Sequence, residues 1–520
     1  MAKIAVFIII SLGYYLYDIG NLDGVRQGTE ALYVQIAKEM TELNSFLVPI
    51  YRGEPHWSKP PLQFWMGVFA LKLNGGVFSL GVARASMAFF SFFSAIVLSI
   101  IIEKFSRIKK LEALIIVLGC FGTLKFSRTF MMEVPLMFLP TLSMYAFYNY
   151  LRDKNYKSLV CSIVFGSAAV LVKGQISLVM AFLSMLFFIG LNYLQTKKFD
   201  IYFKRSFLYF FSVLFFSSIW FFLCYLEFGK EFFNYFFLRE NIGKFNQVNM
   251  PHSRILEGLV MFIFPWLFLI PSFFRGLKKF HNLSSFQIFS VSCFLGHYLI
   301  WFIPKQKSHH YAIPSLLFFV IFCFDFLKAN EKFKLSEKIF GLVSSILLII
   351  LSIVCLYFSE SSFYIISGAL GIIGSIISIK YLNGPNIKKY LIFTCLTFFT
   401  LWSVSLPVFF IPLIPSKVVS YIKENGNKEV LLNDRRSFFF EQYLDKEIKV
   451  IGAKEVQKSI DENYLVISSK YRLFSELIED KYIKKKWKKW KRKVRSKDLI
   501  KAFKERDLEY LKEDMFLYHK

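Results

Sequence analysis

Apolar residues come in long runs along this chain, separated by short polar connections. A helix that crosses a bilayer needs roughly 20 apolar residues. On that criterion thirteen runs qualify, at about 4–22, 79–102, 111–127, 130–151, 157–172, 175–194, 206–228, 254–275, 285–303, 311–328, 336–358, 362–382 and 388–412. The pattern predicts a mostly α, polytopic membrane protein with about 13 transmembrane helices. Two stretches break it. Asp23–Trp65 reads DGVRQGTEALYVQIAKEM and then TELNSFLVPIYRGEPHWSKPPLQFW. It is too polar to cross a bilayer and too rich in Trp, Tyr, Pro and paired charge for a passive linker. Structureless connections beyond about 15 residues are unusual unless they carry function. The second break follows Pro415, where hydropathy collapses. There 430–433, 448–451 and 464–468 read as strands and 453–460 as a helix, which makes a small α/β unit. The expected organisation is a transmembrane domain over 1–415, with 23–78 as its outer-face catalytic loop, and a soluble basic α/β domain over 416–520.

Charge gives these spans an orientation. Loops after even-numbered spans hold clusters such as Lys104, Arg107, Lys109 and Lys110, or Arg275, Lys278 and Lys279, whereas an odd loop such as Ser359–Ser362 holds none. Short basic loops face the cytoplasm. The N-terminus is then cytoplasmic, and Asp23–Trp65 and the C-terminal domain face outward. Composition agrees with a membrane class: 55% of residues are hydrophobic, 19% aromatic, and mean hydropathy is +0.45. The net charge of +27 lies mostly in these loops, with no basic fold signature for nucleic acid. The seven cysteines fall inside apolar runs without a Cys-x-x-Cys pair, as small packing residues do. Met1–Tyr17 lacks a small-residue cleavage site and reads as a retained first span.

The interesting ionisable groups collect on the outer side. They are Glu30, Glu39, His56 and Lys59 in the first loop, Glu133 in RTFMMEVPLMF, Lys173 in LVKGQ, Arg239, Glu240 and Lys244 in FFLRENIGKF, His252, and Lys305, Lys307, His309 and His310 in PKQKSHHYAIP. Each has a plainer reading. Glu30 can be a charge at a helix start, Lys59 a snorkelling anchor, and His309-His310 an interfacial pair whose side chains point apart. Glu133 is harder to dismiss, because a carboxylate at the mouth of a span needs a partner or a wet cavity. The segment Lys484–Lys497, KKKWKKWKRKVRSK, suits an anionic membrane surface or a solvated basic helix. Two carboxylates and several cations suit sugar transfer from a phosphate-linked lipid. The departing phosphate needs cations, and a hydroxyl acceptor needs a base. A transporter or flippase of a lipid-linked glycan is the rival class, but it would place charge near the bilayer midplane.

The same residues carry a resemblance. GTEALYVQIAKEM with Glu30 and Tyr33, Asn44–Pro49, Lys59-Pro60 to Trp65, GVARAS with Arg84, Glu133, Lys173-Gly174, Glu240–Phe245, His252, Pro265-Trp266, and Lys307, Tyr311 and Pro314 follow one another in order. This ordered set resembles the aminoarabinose-to-lipid-A transferase family of polytopic glycosyltransferases, relatives of the protein O-mannosyltransferases with the GT-C membrane fold. The resemblance implies a polyprenyl (undecaprenyl) phosphate sugar donor in a bacterial inner membrane. It implies a lipid A or other envelope acceptor on the periplasmic face, or a protein acceptor. Inversion follows from a single displacement without an enzyme nucleophile. Glu30 and Glu133 become the catalytic candidates. Lys59, Tyr33, Arg84, Glu240, Lys244, His252, Lys307 and Tyr311 become the substrate-binding candidates. No cofactor is demanded, and a divalent metal stays an open alternative. The chain departs from the family at Thr29, where the motif has an acid, and at Ser58, Glu133, Asn241 and Lys244.

Overall fold

The computed structural model describes residues 2–20, 28–197, 201–242, 249–330, 333–382, 387–405, 409, 414–426, 428–433, 440–441, 444, 448–468, 482–491 and 494–520. They divide into two compact units. One comprises 1–19, 36–353 and 367–404, and the other 20–35, 354–366 and 405–520.

The larger unit is helical. In chain order its helices are α1 (Ala2–Leu16), α2 (Gly28–Glu42, which also gives residues to the other unit), α3 (Leu62–Leu73), α4 (Leu80–Phe105), α5 (Lys110–Leu118) and α6 (Phe121–Ser127). Then come α7 (Glu133–Asp153), α8 (Tyr156–Lys173), α9 (Gln175–Thr196), α10 (Ile201–Phe233), α11 (Ser253–Ile263) and α12 (Leu269–Lys278). The last are α13 (Ser285–Leu299), α14 (Ile313–Ala329), α15 (Leu335–Phe358), α16 (Ser362–Leu382) and α17 (Ile387–Phe399). Among the described residues nine helices are long and apolar enough to span a membrane. The other four predicted spans differ for physical reasons. α1 is a short apolar helix, and α7 carries Glu133, Pro140, Arg152 and Asp153.

The runs 111–127 and 254–275 are each broken into two helices, and the breaks interlock. Phe121 N–H donates to the Phe264 carbonyl at 2.7 Å, and Trp266 Nε1 donates to the Ile116 carbonyl at 3.0 Å. A Cβ on Gly119 would stand 2.5 Å from the Trp266 ring, so the first break admits only glycine there. Irregular backbone survives at membrane depth only where protein satisfies it, and each break does this for the other. Small residues set the remaining close approaches. Gly296 of α13 lies against Ser184 of α9, where a Cβ would meet the Ser184 nitrogen at 2.4 Å.

At the end carrying the basic loops, buried carboxylates tie helix ends together. Glu112 meets Lys328 at 3.1 Å. Asp325 accepts from the Arg107 amide at 2.7 Å and from Gln287 at 2.9 Å. Glu337 accepts from Arg275 at 2.8 Å and Ser272 at 3.1 Å.

The smaller unit is built on a five-stranded mixed sheet of order β4-β3-β5-β7-β6. The strands are β3 (Val430–Asn433), β4 (Lys449–Val450), β5 (Leu465–Ser468), β6 (Ile483–Trp490) and β7 (Lys512–Tyr518). A two-stranded hairpin in the larger unit supplies β1 (Ile50–Tyr51) and β2 (Glu54–Pro55). β3 runs parallel to β4 and β5, and β7 antiparallel to β5 and β6. The helices here are α18 (Ser416–Glu424), α19 (Val456–Asp461) and α20 (Ser496–Glu505). Leu431, Val456, Ile460, Val466, Phe516 and Tyr518 form its core.

The expected strands and helix between 430 and 468 are present. The basic run is not the single helix weighed as one alternative: its first half is the edge strand β6. There Lys484, Lys486 and Lys488 point outward while Trp487 is buried, an alternation of period two that uniform charge hides.

Candidate active site

The stretch after Asp23 proves to be a helix, a hairpin and a second helix, with Asp23–Gln27 outside the described residues. Three tryptophans hold its central segment. Trp65 Nε1 donates to the Phe46 carbonyl and Trp220 Nε1 to the Leu47 carbonyl, each at 2.7 Å. Trp57 packs its ring against Phe228 and Tyr235. The hairpin turn uses Arg52 and Gly53, both at positive φ, and Gly53 N–H donates to Glu39.

This scaffold presents Lys59 just ahead of two prolines. Its ammonium donates to the Ser58 carbonyl at 2.7 Å and to Glu240 at 3.4 Å. Glu240 lies on the π-helical stretch Asn234–Ile242 that continues α10. His56 Nε2 shares a hydrogen bond with Ser58 Oγ. Burial, and then the charge of Lys59, pull the imidazole down from 6.5 to about 4, so the ring is neutral at physiological pH.

A second cluster surrounds Glu133, the first residue of α7, which is buried. Its Oε1 stands 3.8 Å from His310 Nε2. Its Oε2 is buried without a hydrogen-bond partner among the described residues. Lys173 and Lys125 both act on it electrostatically. These two cations rest on aromatic faces. Lys173 lies 4.8 Å from the Trp301 ring and 5.1 Å from that of Tyr311, and Lys125 lies 5.2 Å from Phe126. Trp301 and Tyr311 stack at 4.5 Å, and His310 Nδ1 pairs with Ser308 Oγ at 2.8 Å. Gly258 lets α11 close on this segment, since a Cβ there would meet the His309 carbonyl oxygen at 2.2 Å.

Two links join the clusters. Gln63, four residues after Lys59, donates to the Phe130 carbonyl at 3.2 Å, just before Glu133. Gly174, at φ +79, sits under Phe236, four residues before Glu240. Only glycine takes that φ without strain, and the turn it makes puts Lys173 at the α8–α9 tip. Around these links Glu133 Oε2, Gln63 Oε1, Trp57 Nε1 and Trp301 Nε1 are all buried without hydrogen-bond partners among the described residues. Buried polar atoms in proteins are normally satisfied, so a group of orphans in one region asks for a ligand or water.

The structure therefore brings together Lys59 with Glu240, and Glu133 with Tyr311. Lys307, in the same segment as Tyr311, is buried. Arg84 sits elsewhere, donating to the Ile19 carbonyl at 3.0 Å beyond α1. His252 is exposed and stacks on Phe302 at 5.6 Å. Glu30 and Tyr33 are buried and three residues apart on α2, hence on one face of that helix. Lys244 lies outside the described residues. Sequence reading passed over Lys125 and Gln63. Lys125 was findable as a lone cation inside an apolar run, whereas Gln63 carries no such signal. Among the described residues no three His, Cys, Asp or Glu are grouped to hold a metal ion.

Residues 1–236 match the model of the dolichyl-phosphate-mannose-protein mannosyltransferase family. Two uncharacterized proteins of Aquifex aeolicus (strain VF5) are each 26% identical, over 70% and 59% of this chain and 71% and 68% of theirs. The undecaprenyl phosphate-alpha-4-amino-4-deoxy-L-arabinose arabinosyl transferase of Shewanella sediminis (strain HAW-EB3) is 24% identical over 61% of this chain and 58% of its own. The crystal structure of ArnT from Cupriavidus metallidurans bound to undecaprenyl phosphate superposes with TM-score 0.73, at 13% identity, covering 99% of this chain and 98% of that one. The resemblance read from the sequence is supported by these matches. The chain is a multi-pass membrane protein with the GT-C scaffold of ArnT.

Proposed function

We propose that this protein is an integral-membrane, inverting glycosyltransferase. It moves a sugar from a polyprenyl (undecaprenyl) phosphate to lipid A or another envelope acceptor at the periplasmic face of a bacterial inner membrane. The observation that carries this reading is the orphaned Glu133 carboxylate oxygen, buried beside His310 and acted on by Lys173 and Lys125.

In the reaction an acceptor oxygen forms a bond to the anomeric carbon as the bond from that carbon to the phosphate oxygen breaks. The electron pair leaves on the phosphate. Lys59, Lys173 and Lys307 supply positive charge where that anion develops, which is the largest stabilisation such a transfer needs. Glu133 takes the proton of a hydroxyl acceptor. Its lack of a second hydrogen bond leaves an oxygen ready for that proton. Lys59 begins in an ion pair with Glu240, so donor phosphate competes with an acid for it. The donor's phosphodiester carries one negative charge and must be well placed to win that competition, whereas the departing phosphate monoester, with a second charge, is held more strongly. Glu30 is assigned to the acceptor on its motif alone.

The acceptor has a second reading, because the matching family model is that of protein mannosyltransferases. The test is direct. Purified protein is incubated with undecaprenyl-phosphate sugars and, in separate arms, lipid A and a Ser/Thr-rich peptide. Transfer to one arm assigns the acceptor. No transfer from any donor, with envelope glycans unchanged in cells carrying Glu133→Gln or Lys59→Ala, rejects the proposal.

A further inference from the structure

The lysines of β6 are largely engaged. Lys486 and Lys488 pair with Asp514 at 3.4 and 2.9 Å, and Lys489 pairs with Glu513 at 3.4 Å. The unengaged surface comes next in the chain, on α20. Leu499, Ile500 and Phe503 are 43%, 67% and 43% exposed. Their i, i+1, i+4 spacing puts them on one side of that helix. Ala502 is buried, and Asp498 is paired with Lys491 at 3.3 Å, so those two mark the side turned to the sheet domain. Lys497 and Lys504 are exposed beside the apolar side, while Lys501 lies farther round the helix with its Nζ 5.8 Å from the Tyr510 ring.

What covers this face follows from where the helix sits. Phe503 stacks on Tyr357 at 6.2 Å and meets Phe358 edge-on at 5.1 Å. Tyr357 Oη donates to the Phe503 carbonyl at 2.7 Å, and Arg506 Nε donates to the Tyr357 carbonyl at 2.6 Å. Tyr357 and Phe358 are the last residues of α15, a membrane span. The exposed apolar stripe of that span runs through Ile346, Ile350 and Ile353 and ends at Tyr357. A tyrosine at the end of a span marks the level of the lipid headgroups, so α20, packed on Tyr357 and Phe358, is held at that level.

We propose that α20 is an interfacial helix. Leu499 and Ile500 enter the boundary between headgroups and acyl chains, while Lys497 and Lys504 contact anionic phospholipid headgroups. Helices with an apolar face and flanking lysines bind in this way, and each lysine near an anionic surface adds to the attraction. The sheet domain thereby rests on lipid through a surface separate from the glycosyl-transfer residues. This inference does not depend on the proposed reaction.

The test uses the full-length chain in lipid nanodiscs on a Cys161→Ser background, since Cys161 is the exposed native cysteine. A nitroxide is placed by Ile500→Cys, and a control by Glu462→Cys, an exposed position elsewhere in the same domain. Labelled proteins that elute as a single species are compared by spin-label collision with oxygen and with a water-soluble nickel chelate. The expected result is a several-fold preference for oxygen at 500 and the reverse at 462. Immersion at 500 should deepen as phosphatidylglycerol replaces a zwitterionic lipid. Lys497→Gln and Lys504→Gln together should remove that dependence. Chelate access at 500 equal to that at 462, immersion indifferent to anionic lipid in the parent protein, or label–label coupling showing a second copy on this face would each overturn the proposal.

Discussion

Glu133→Gln is the substitution that most sharply separates a catalytic carboxylate from a structural one. The side chain keeps its shape, loses its charge, and can no longer accept a proton. Removal of a general base costs about 10²–10⁴-fold in rate, so kcat with a hydroxyl acceptor should fall by at least about 100-fold. Stability should move little. Leaving a buried polar atom unpaired costs about 1–3 kcal/mol, and Oε2 is such an atom among the described residues. With about 2 cal/mol/K of unfolding entropy per residue over 520 residues, 1 kcal/mol corresponds to about 1 °C. Glutamine leaves one of its own amide atoms in that orphaned place, so the unpaired cost is retained and Tm should stay within about 1–3 °C of the parent. The assay pairs single-turnover transfer from an undecaprenyl-phosphate sugar with a thermal melt in the same detergent. A kcat within tenfold of the parent would refute the base assignment. Lost activity together with a Tm lowered by several degrees would show Glu133 to be a structural residue.

Other expectations follow from the same contacts. Lys59→Ala should raise KM for the donor about 10–100-fold. A double-mutant cycle with Glu240→Ala should give a coupling of at most about 1 kcal/mol, because the pair is part-exposed. A larger coupling, or an unchanged KM, would count against a phosphate role for Lys59. The folded pKa of His56, about 4, lies below its ordinary 6.5. The unfolded chain thus binds the extra proton first, and the stability from this group is full above pH about 6.5 and is lost as pH falls toward about 4. His56→Gln should flatten the Tm profile across that window, which melts at pH 7 and pH 4.5 would reveal. Gly258→Ala should displace the His309–Tyr311 segment, because the new Cβ would stand 2.2 Å from the His309 carbonyl oxygen. It should lower both Tm and kcat, and a silent substitution would mean that α11 can shift freely.

Hydropathy located the nine helices that are long and apolar enough to span among the described residues, because burial in lipid imposes length and composition on each one. It did not reveal the breaks in 111–127 and 254–275. Those depend on Gly119 meeting Trp266 and on Phe121 meeting Phe264, contacts between segments far apart in the chain. The site was partly legible. Lys173 and Glu133 stood out as charges at span ends, and Lys59 as the cation before a double proline. Lys125 was legible only as a lone cation inside an apolar run, a signal that averaged hydropathy smooths away. The edge strand β6 was hidden for the opposite reason: lysine on both faces erased the apolar–polar alternation that announces a strand, and Trp487 alone marks its inner side.

The interlocked breaks also bear on how the chain is made. Trp266 satisfies a carbonyl 150 positions earlier in the sequence. The first broken run therefore enters the membrane with backbone groups that cannot be satisfied until several later spans have been synthesised. A bare break is intolerable in hydrocarbon, so this half-finished segment must be sheltered during insertion by the translocation machinery, a chaperone, or trapped water. Truncations ending before residue 264 should accordingly accumulate as proteolysis-sensitive fragments, whereas those ending after α12 should not.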